Sequence, residues 1–310
     1  MKILLATDGS PSAKEAEALT AATRWPEGTE IEVLFVDPFA ESDLFDFPPE
    51  RFVAAHAVVR RETDERLAGV VQQLSGPGRT IRARVIFGRP ASAIIYEAGE
   101  LGSELVIIGS HNHGALASFT LGSVAAEVVD HSPCPVLVAR RSSLGPIVLG
   151  HDGSKGAQQA EALVTHWPFL ARQTVRVVTV SPLVPRWYVT ANTGLSPVVD
   201  GKFLQELLEE ERAESRRIAA AAVTRLLAAG LQASADVRLG TPAEGLMDAI
   251  AATDAQLVVV GSRGNRGLTR LVLGSVARTV LYQAPCSVLI VRQVVGPTPV
   301  VKERAAATAV

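Results

Sequence analysis

Ile3-Leu4-Leu5-Ala6-Thr7-Asp8-Gly9-Ser10 is matched 144 positions later by Ile147-Val148-Leu149-Gly150-His151-Asp152-Gly153-Ser154. Each stretch is a short aliphatic run broken by Asp-Gly-Ser, which reads as a buried strand ending in a turn ahead of a helix. Val33–Pro38 (VLFVDP) recurs at the same offset as Val177–Pro182 (VVTVSP). Beyond this point the offset is 152. Gly88-Arg89-Pro90-Ala91 matches Gly240-Thr241-Pro242-Ala243, and Ile107-Ile108-Gly109-Ser110 matches Val259-Val260-Gly261-Ser262. Leu121-Gly122-Ser123-Val124 matches Leu273-Gly274-Ser275-Val276, and Pro133-Cys134-Pro135-Val136-Leu137 matches Pro285-Cys286-Ser287-Val288-Leu289. The single change of offset puts eight extra residues in the second half, between Pro182 and Gly240. Blocks repeated in one order mean that one domain is written twice.

Within each copy, short aliphatic runs alternate with longer amphipathic ones. Strands are expected at 2–7, 30–36, 79–87, 104–109 and 135–139, then at 146–151, 174–180, 231–239, 256–261 and 287–292. Helices are expected at 11–24, 50–74, 90–101 and 122–131, then at 154–166, 201–229, 242–252 and 274–283. Pro90 and Pro242 suit a first helical turn, where the missing N–H costs nothing. This alternation predicts an α/β fold with right-handed crossovers and one open parallel sheet per copy. The expected domains are residues 1–141 and 146–293, joined by a short linker within 140–146. A long loop is expected over 181–201 and a frayed tail over 294–310. The fifth strands, Val136–Ala139 and Val288–Val291, are so apolar that they would make poor exposed edges, and they are the natural seam between the copies.

Composition narrows the function classes. Hydrophobic residues make up 47% of the chain and aromatics 5%, which suits an aliphatic parallel-sheet core. A net charge of -2 leaves no electrostatic footprint for nucleic acid or an anionic membrane. No apolar run approaches a membrane span, and the run opening the chain ends at Asp8, short of a secretory leader. Two cysteines make no disulfide framework, so the expected setting is the cytoplasm.

Ligands of open parallel sheets bind beyond the carboxyl ends of the strands. There the second copy carries Gly261-Ser262-Arg263-Gly264, nine further residues, and Gly274-Ser275. Glycine at 261 and 264 would allow positive φ and close approach to a ligand. Gly274-Ser275-Val276 opens a helix whose free N–H groups suit a phosphate. The same glycines have a structural reading: they end a strand and pack a helix. Asp8 and Asp152 would repel phosphates, so in a nucleotide site they would serve the base or the ribose. Their structural reading is a helix N-cap.

The pattern G-x2-G-x9-G-S after the fourth strand, with Asp closing the first, resembles the ATP-binding universal stress proteins. The likeness runs from Lys2 to Arg292, in tandem form. It implies strand order 3-2-1-4-5 in each copy and domains paired about a two-fold axis. The backbone of Val36 and Val180 would hold the base edge. Gly261, Arg263, Gly264, Gly274, Ser275 and Val276 would meet ribose and phosphates beside Gly150 and Asp152. In the first copy the corresponding set is Asp8, Gly109, His111, Gly122, Ser123 and Val124. The implied ligand is ATP, with Mg2+ as a candidate companion ion. The implied partners are an unidentified protein and a second copy of the chain.

The first copy departs from the pattern. Asn112 stands where the second glycine belongs, and Gly114 lies two positions too late, so the first site is expected to be the weaker. His111 and His113 make a two-ligand H-x-H pair that lacks a third metal ligand. Cys134 and Cys286 are matched positions expected to be buried, and the charge run Glu206–Arg217 reads as a solvated helix face. No Walker lysine motif or nucleophile elbow is present. The leading function is nucleotide occupancy signalled to a partner. The alternatives are slow ATP hydrolysis or self-phosphorylation, and chaperone-like interaction with empty sites.

Overall fold

The computed structural model describes residues 1–38, 49–110, 121–183, 201–262 and 273–292. The first copy runs β1 (Lys2–Ala6), α1 (Pro11–Ala22), β2 (Thr29–Asp37), α2 (Pro49–Leu74), β3 (Arg79–Phe87), α3 (Pro90–Glu100), β4 (Leu105–Gly109), α4 (Ser123–His131) and β5 (Val136–Ala139). The second runs β6 (Ile147–Gly150), α5 (Lys155–His166), β7 (Thr174–Ser181), α6 (Gly201–Ala228), β8 (Gln232–Leu239), α7 (Pro242–Thr253), β9 (Leu257–Gly261), α8 (Ser275–Gln283) and β10 (Ser287–Val291). Expected and observed elements agree to within two residues at each boundary, which is the ordinary fraying of element ends.

Each copy orders its strands 3-2-1-4-5, and the two five-stranded units join into one sheet: β3-β2-β1-β4-β5-β10-β9-β6-β7-β8. Among the described residues pairing is parallel within each copy and antiparallel at the seam, where Val136, Leu137 and Val138 face Ile290, Leu289 and Val288. Exchanging the copies maps this set of pairs onto itself, which is the mark of an isologous two-fold contact. Each strand feeds both faces of the sheet, as alternating Cβ directions require. Leu4 and Ala6 enter one core with α3, α4, α7 and α8, while Ile3 and Leu5 enter the other with α1, α2, α5 and α6. Both cores run across both copies.

Arg140 and Arg292, matched positions just past the fifth strands, reach across the seam. Arg140 donates to the carbonyl oxygens of Leu281 (2.6 Å) and Cys286 (3.4 Å). Arg292 donates to those of Asp130 and Ser132, the latter at 3.2 Å. Each guanidinium thereby meets carbonyls at the C-terminal end of the other copy's last helix, where the helix dipole favours a cation. The sequence reading placed Arg140 in a linker and missed this clamp.

Candidate functional site

The turn after the first strand is built alike in both copies. Asp8 Oδ1 accepts the Ser10 N–H (2.9 Å), and Asp152 Oδ1 accepts that of Ser154 (3.0 Å). The serines cap the helices: Ser10 Oγ accepts from Ala13 N and Ser154 Oγ from Ala157 N, both at 3.2 Å. The N-cap is therefore the serine, and the structural reading of the aspartates as caps is corrected. Each aspartate closes an Asx turn through its Oδ1. Gly9 and Gly153 take φ of +75° and +78°, a conformation that L side chains rarely adopt.

Behind each turn stands a buried relay. In the first copy Thr7 Oγ1 accepts from Gly9 N (3.2 Å) and donates to Glu17 Oε1 (2.5 Å). In the second, His151 Nδ1 accepts from Gly153 N (3.3 Å), which leaves the ring proton on Nε2. That nitrogen lies 3.0 Å from Glu161 Oε2, at ion-pair distance but off the line of a straight hydrogen bond. Arg225 from α6 grips both oxygens of Glu161, at 2.5 and 2.8 Å. Only 4% of His151 is exposed, and burial pushes its imidazole below the usual range against an upward pull from Glu161.

In front of the second copy's turn is an open cleft of about 540 Å3 between the turn and α6. Asp152, Glu211 and Glu214 supply carboxylates, while Pro182, Ile218 and Ala221 supply apolar wall. Glu211 Oε2 is shielded from solvent and has no hydrogen-bond partner among the described residues. The charge run expected as a solvated face is thus divided. Arg212 and Arg217 pair with Glu209 and Glu214 (2.7 and 2.9 Å), yet Glu211, Glu214 and Ser215 border the cleft. Ile218 approaches Gly153, whereas its counterpart Arg66 lays its guanidinium against Gly9 and over the Phe35 ring, 5.1 Å from the centroid. A methyl at Gly9 would run into that guanidinium.

The glycine motif proves to be of mixed origin. Gly261 ends β9 without positive φ, contrary to expectation. An added Cβ there would stand 2.5 Å from the backbone of Gly156 in α5. Gly109 has the same relation to Ser12, at 2.6 Å. Gly150 is also a packing position, since its Cβ would come within 3.1–3.3 Å of Val260 and Leu246. Gly122 and Gly274 are the N-caps of α4 and α8 and offer no capping side chain, so the first helical N–H groups lack that partner. Ser123 and Ser275 open these helices and are exposed, with Val124 and Val276 half-buried behind them. Gly122 N and Gly274 N bond back to the carbonyls of Ser110 and Ser262, at 2.7 and 2.8 Å. The α8 start is thereby tied to the end of β9.

In the second copy Asp152, Val180, Gly261, Gly274 and Ser275 stand along one rim of the sheet, and Asp8, Val36, Gly109, Gly122 and Ser123 do so in the first. His111, Asn112, His113, Gly114, Arg263 and Gly264 lie outside the described residues, as does the expected tail from 294. Sequence reasoning missed His151, Glu161, Arg225, Arg66 and Ile218. The matched pairs Thr7/His151 and Glu17/Glu161 were the available signal. Cys134 and Cys286 are free and buried as expected, and burial raises both thiols to about 11. Among the described residues no helix is long and apolar enough to cross a membrane, and no three His, Cys, Asp or Glu side chains converge for a metal.

The family model described as "Universal stress protein family" matches residues 1–140 and 144–292. A universal stress protein of Mycobacterium tuberculosis is 26% identical over 309 residues, covering 94% of this chain and 97% of the relative. One from Thermus aquaticus is 35% identical over 138 residues, covering 44% of this chain and 97% of its own length. The crystal structure of a universal stress protein from Archaeoglobus fulgidus shares the fold, with a TM-score of 0.62 at 20% identity over 94% of this chain and 98% of that one. The chain belongs to the universal stress protein family, with the family's domain present twice in tandem.

Proposed function

We propose that the chain binds an adenine nucleotide, ATP in the first place, along the second copy's strand-end rim, and that a protein partner reads its occupancy. The observation that carries this is the polarity of the rim. Carboxylates of Asp152, Glu211 and Glu214 border the cleft, where the cation Arg225 is taken up by Glu161 and Glu214 is paired with Arg217. The uncapped N-terminus of α8 follows the carboxyl end of β9 on the same rim. Phosphates would be repelled by the first and held by the second. A base with an exocyclic amine and apolar faces suits the cleft, whose volume lies in the usual range for small-ligand pockets. The residues present therefore fit the nucleotide. Asp152 and the backbone of Val180 would hold base or ribose; Gly274, Ser275 and Val276, with Arg263 and Gly264, would hold phosphate. When bound, the nucleotide supplies a negatively charged polyphosphate that the protein's N–H donors neutralise. Mg2+ would arrive on the phosphates themselves, because magnesium binds substrate phosphate oxygens and keeps several of its waters. The cytoplasm is the proposed setting, and the homodimer remains the proposed assembly of whole chains.

Calorimetric titration of ATP, ADP and adenosine tests the assignment. Asp152→Ala is expected to weaken all three. Ser275→Ala is expected to weaken ATP more than adenosine, by roughly two- to tenfold, the value of one net hydrogen bond. Equal losses for ATP and adenosine in both variants would overturn the orientation, and absence of binding in the parent would overturn the function.

A further inference from the structure

We infer that His151 is the positioning residue of the Asp152 turn and makes that turn labile to acid, whereas Thr7 leaves the Asp8 turn indifferent to pH. Both turns hang on the same chain of contacts: a glycine N–H donates to residue 7 or 151, whose side chain in turn faces a buried glutamate. A hydroxyl accepts and donates at once without a change of charge. An imidazole does both only when neutral, with its proton on Nε2. Protonation puts a hydrogen on Nδ1, where it opposes the Gly153 N–H across 3.3 Å, and the bond holding the turn is lost.

What is released matters to the rim. Asp152 orients its carboxylate through the Ser154 N–H, and Ser154 caps α5. Both therefore depend on the peptide that His151 holds. Three charged groups face the ring: Glu161 from α5, Arg225 from α6, and Asp152 beside it in the chain. Glu161 and Asp152 favour the imidazolium, and Arg225 opposes it. Glu161 is already gripped by a guanidinium, so burial prevails and the neutral ring is the resting form. The folded His151 thus titrates below the unfolded one. The unfolded chain takes up its proton first as pH falls, so this residue's contribution to stability is full above the usual histidine range and is lost below it.

The experiment follows full-length protein downward from about pH 7.5, the upper part of the ordinary histidine span, until the His151 ring itself has titrated. It records the His151 ring by NMR, exchange of the Gly153 and Gly9 amides relative to unprotected amides, and ATP affinity. In the parent, Gly153 protection is expected to fall as His151 titrates, by roughly fivefold for one net hydrogen bond, while Gly9 stays level. His151→Thr, which installs the first copy's relay, is expected to keep Gly153 protected throughout. Thr7→His is expected to move the acid lability to Gly9, and it serves if His151→Thr does not fold. Gly153 protection unmoved while His151 titrates overturns the inference, as does an undiminished pH profile in His151→Thr. Only the affinity arm rests on the nucleotide reading. If no variant binds ATP but Gly153 still follows His151, the nucleotide reading falls and the positioning role stands.

Discussion

Gly261 shows how one residue type supports two functional readings until its neighbours are known. In the sequence it opens a glycine motif and invites a ligand role. In space it ends β9 against Gly156, whose carbonyl carbon would lie 2.5 Å from any Cβ placed there. Gly9 and Gly153 are glycine for a different reason, since their turns require left-handed backbone. Gly261→Ala is therefore expected to destabilise the protein without nucleotide present, by about 1–3 kcal/mol, the usual cost of overpacking a tight site. Urea unfolding of the ligand-free protein measures it. If unfolding is unchanged while ATP affinity drops, the glycine is there for the ligand instead. Gly109, facing Ser12 at 2.6 Å, should behave in the same way.

Helices α2 and α6 are counterparts in the repeat, yet they present different residues to the two turns. Arg66 covers Gly9 with a guanidinium in the first copy, and in the second the apolar Ile218 packs over Gly153 as part of the cleft wall. We expect Ile218→Arg to weaken ATP binding in the second copy, because a guanidinium would take space that the base needs, and Arg66→Ala to strengthen the first copy's site. Titration with ATP separates these effects. A gain of affinity in Ile218→Arg would mean that the cation recruits phosphate and that Arg66 is a clamp rather than a cover. This contrast was only half legible in the sequence. Period and repetition disclose the helices themselves, because burial against a sheet imposes the apolar spacing. Which residue of a helix meets a turn depends on how far the helix slides along the sheet, and periodicity carries no trace of that. The His151–Glu161–Arg225 group is the extreme case. Its members come from a strand end and two helices, and each alone reads as an ordinary polar residue. The strand-end rim, by contrast, was legible as a place. Parallel strands fix their carboxyl ends on one side, so Asp152, Val180, Gly261 and Gly274 had to share it.

The molecule as a whole is held by features that belong to neither copy alone. The seam strands are buried along their length, with Leu137 and Leu289 each 1% exposed at its centre. On one face Trp25 meets Phe169 across the copies, with ring centroids 4.6 Å apart. Cutting the chain between the copies would bare β5 on one half and β10 on the other, each an apolar edge with unpaired backbone groups. It would also open both cores, because each crosses the seam. Arg140 and Arg292 would lose the carbonyls they now reach. Because the seam is isologous, each half carries a self-complementary edge as well as one that fits the other half. Separately expressed halves are therefore expected to self-associate through their fifth strands, and on mixing to exchange into the paired form. Arg140→Ala in one half and Arg292→Ala in the other should each weaken that pairing, by about 1.5–3 kcal/mol for the charge-assisted bonds removed, or roughly ten- to a hundredfold in affinity. Sedimentation velocity of each half alone and of the mixture, with one half fluorescently labelled, measures both effects. Two halves that stay folded, monomeric and indifferent to one another would show that the antiparallel seam is a contact of convenience, and that the tandem is two independent domains on one chain.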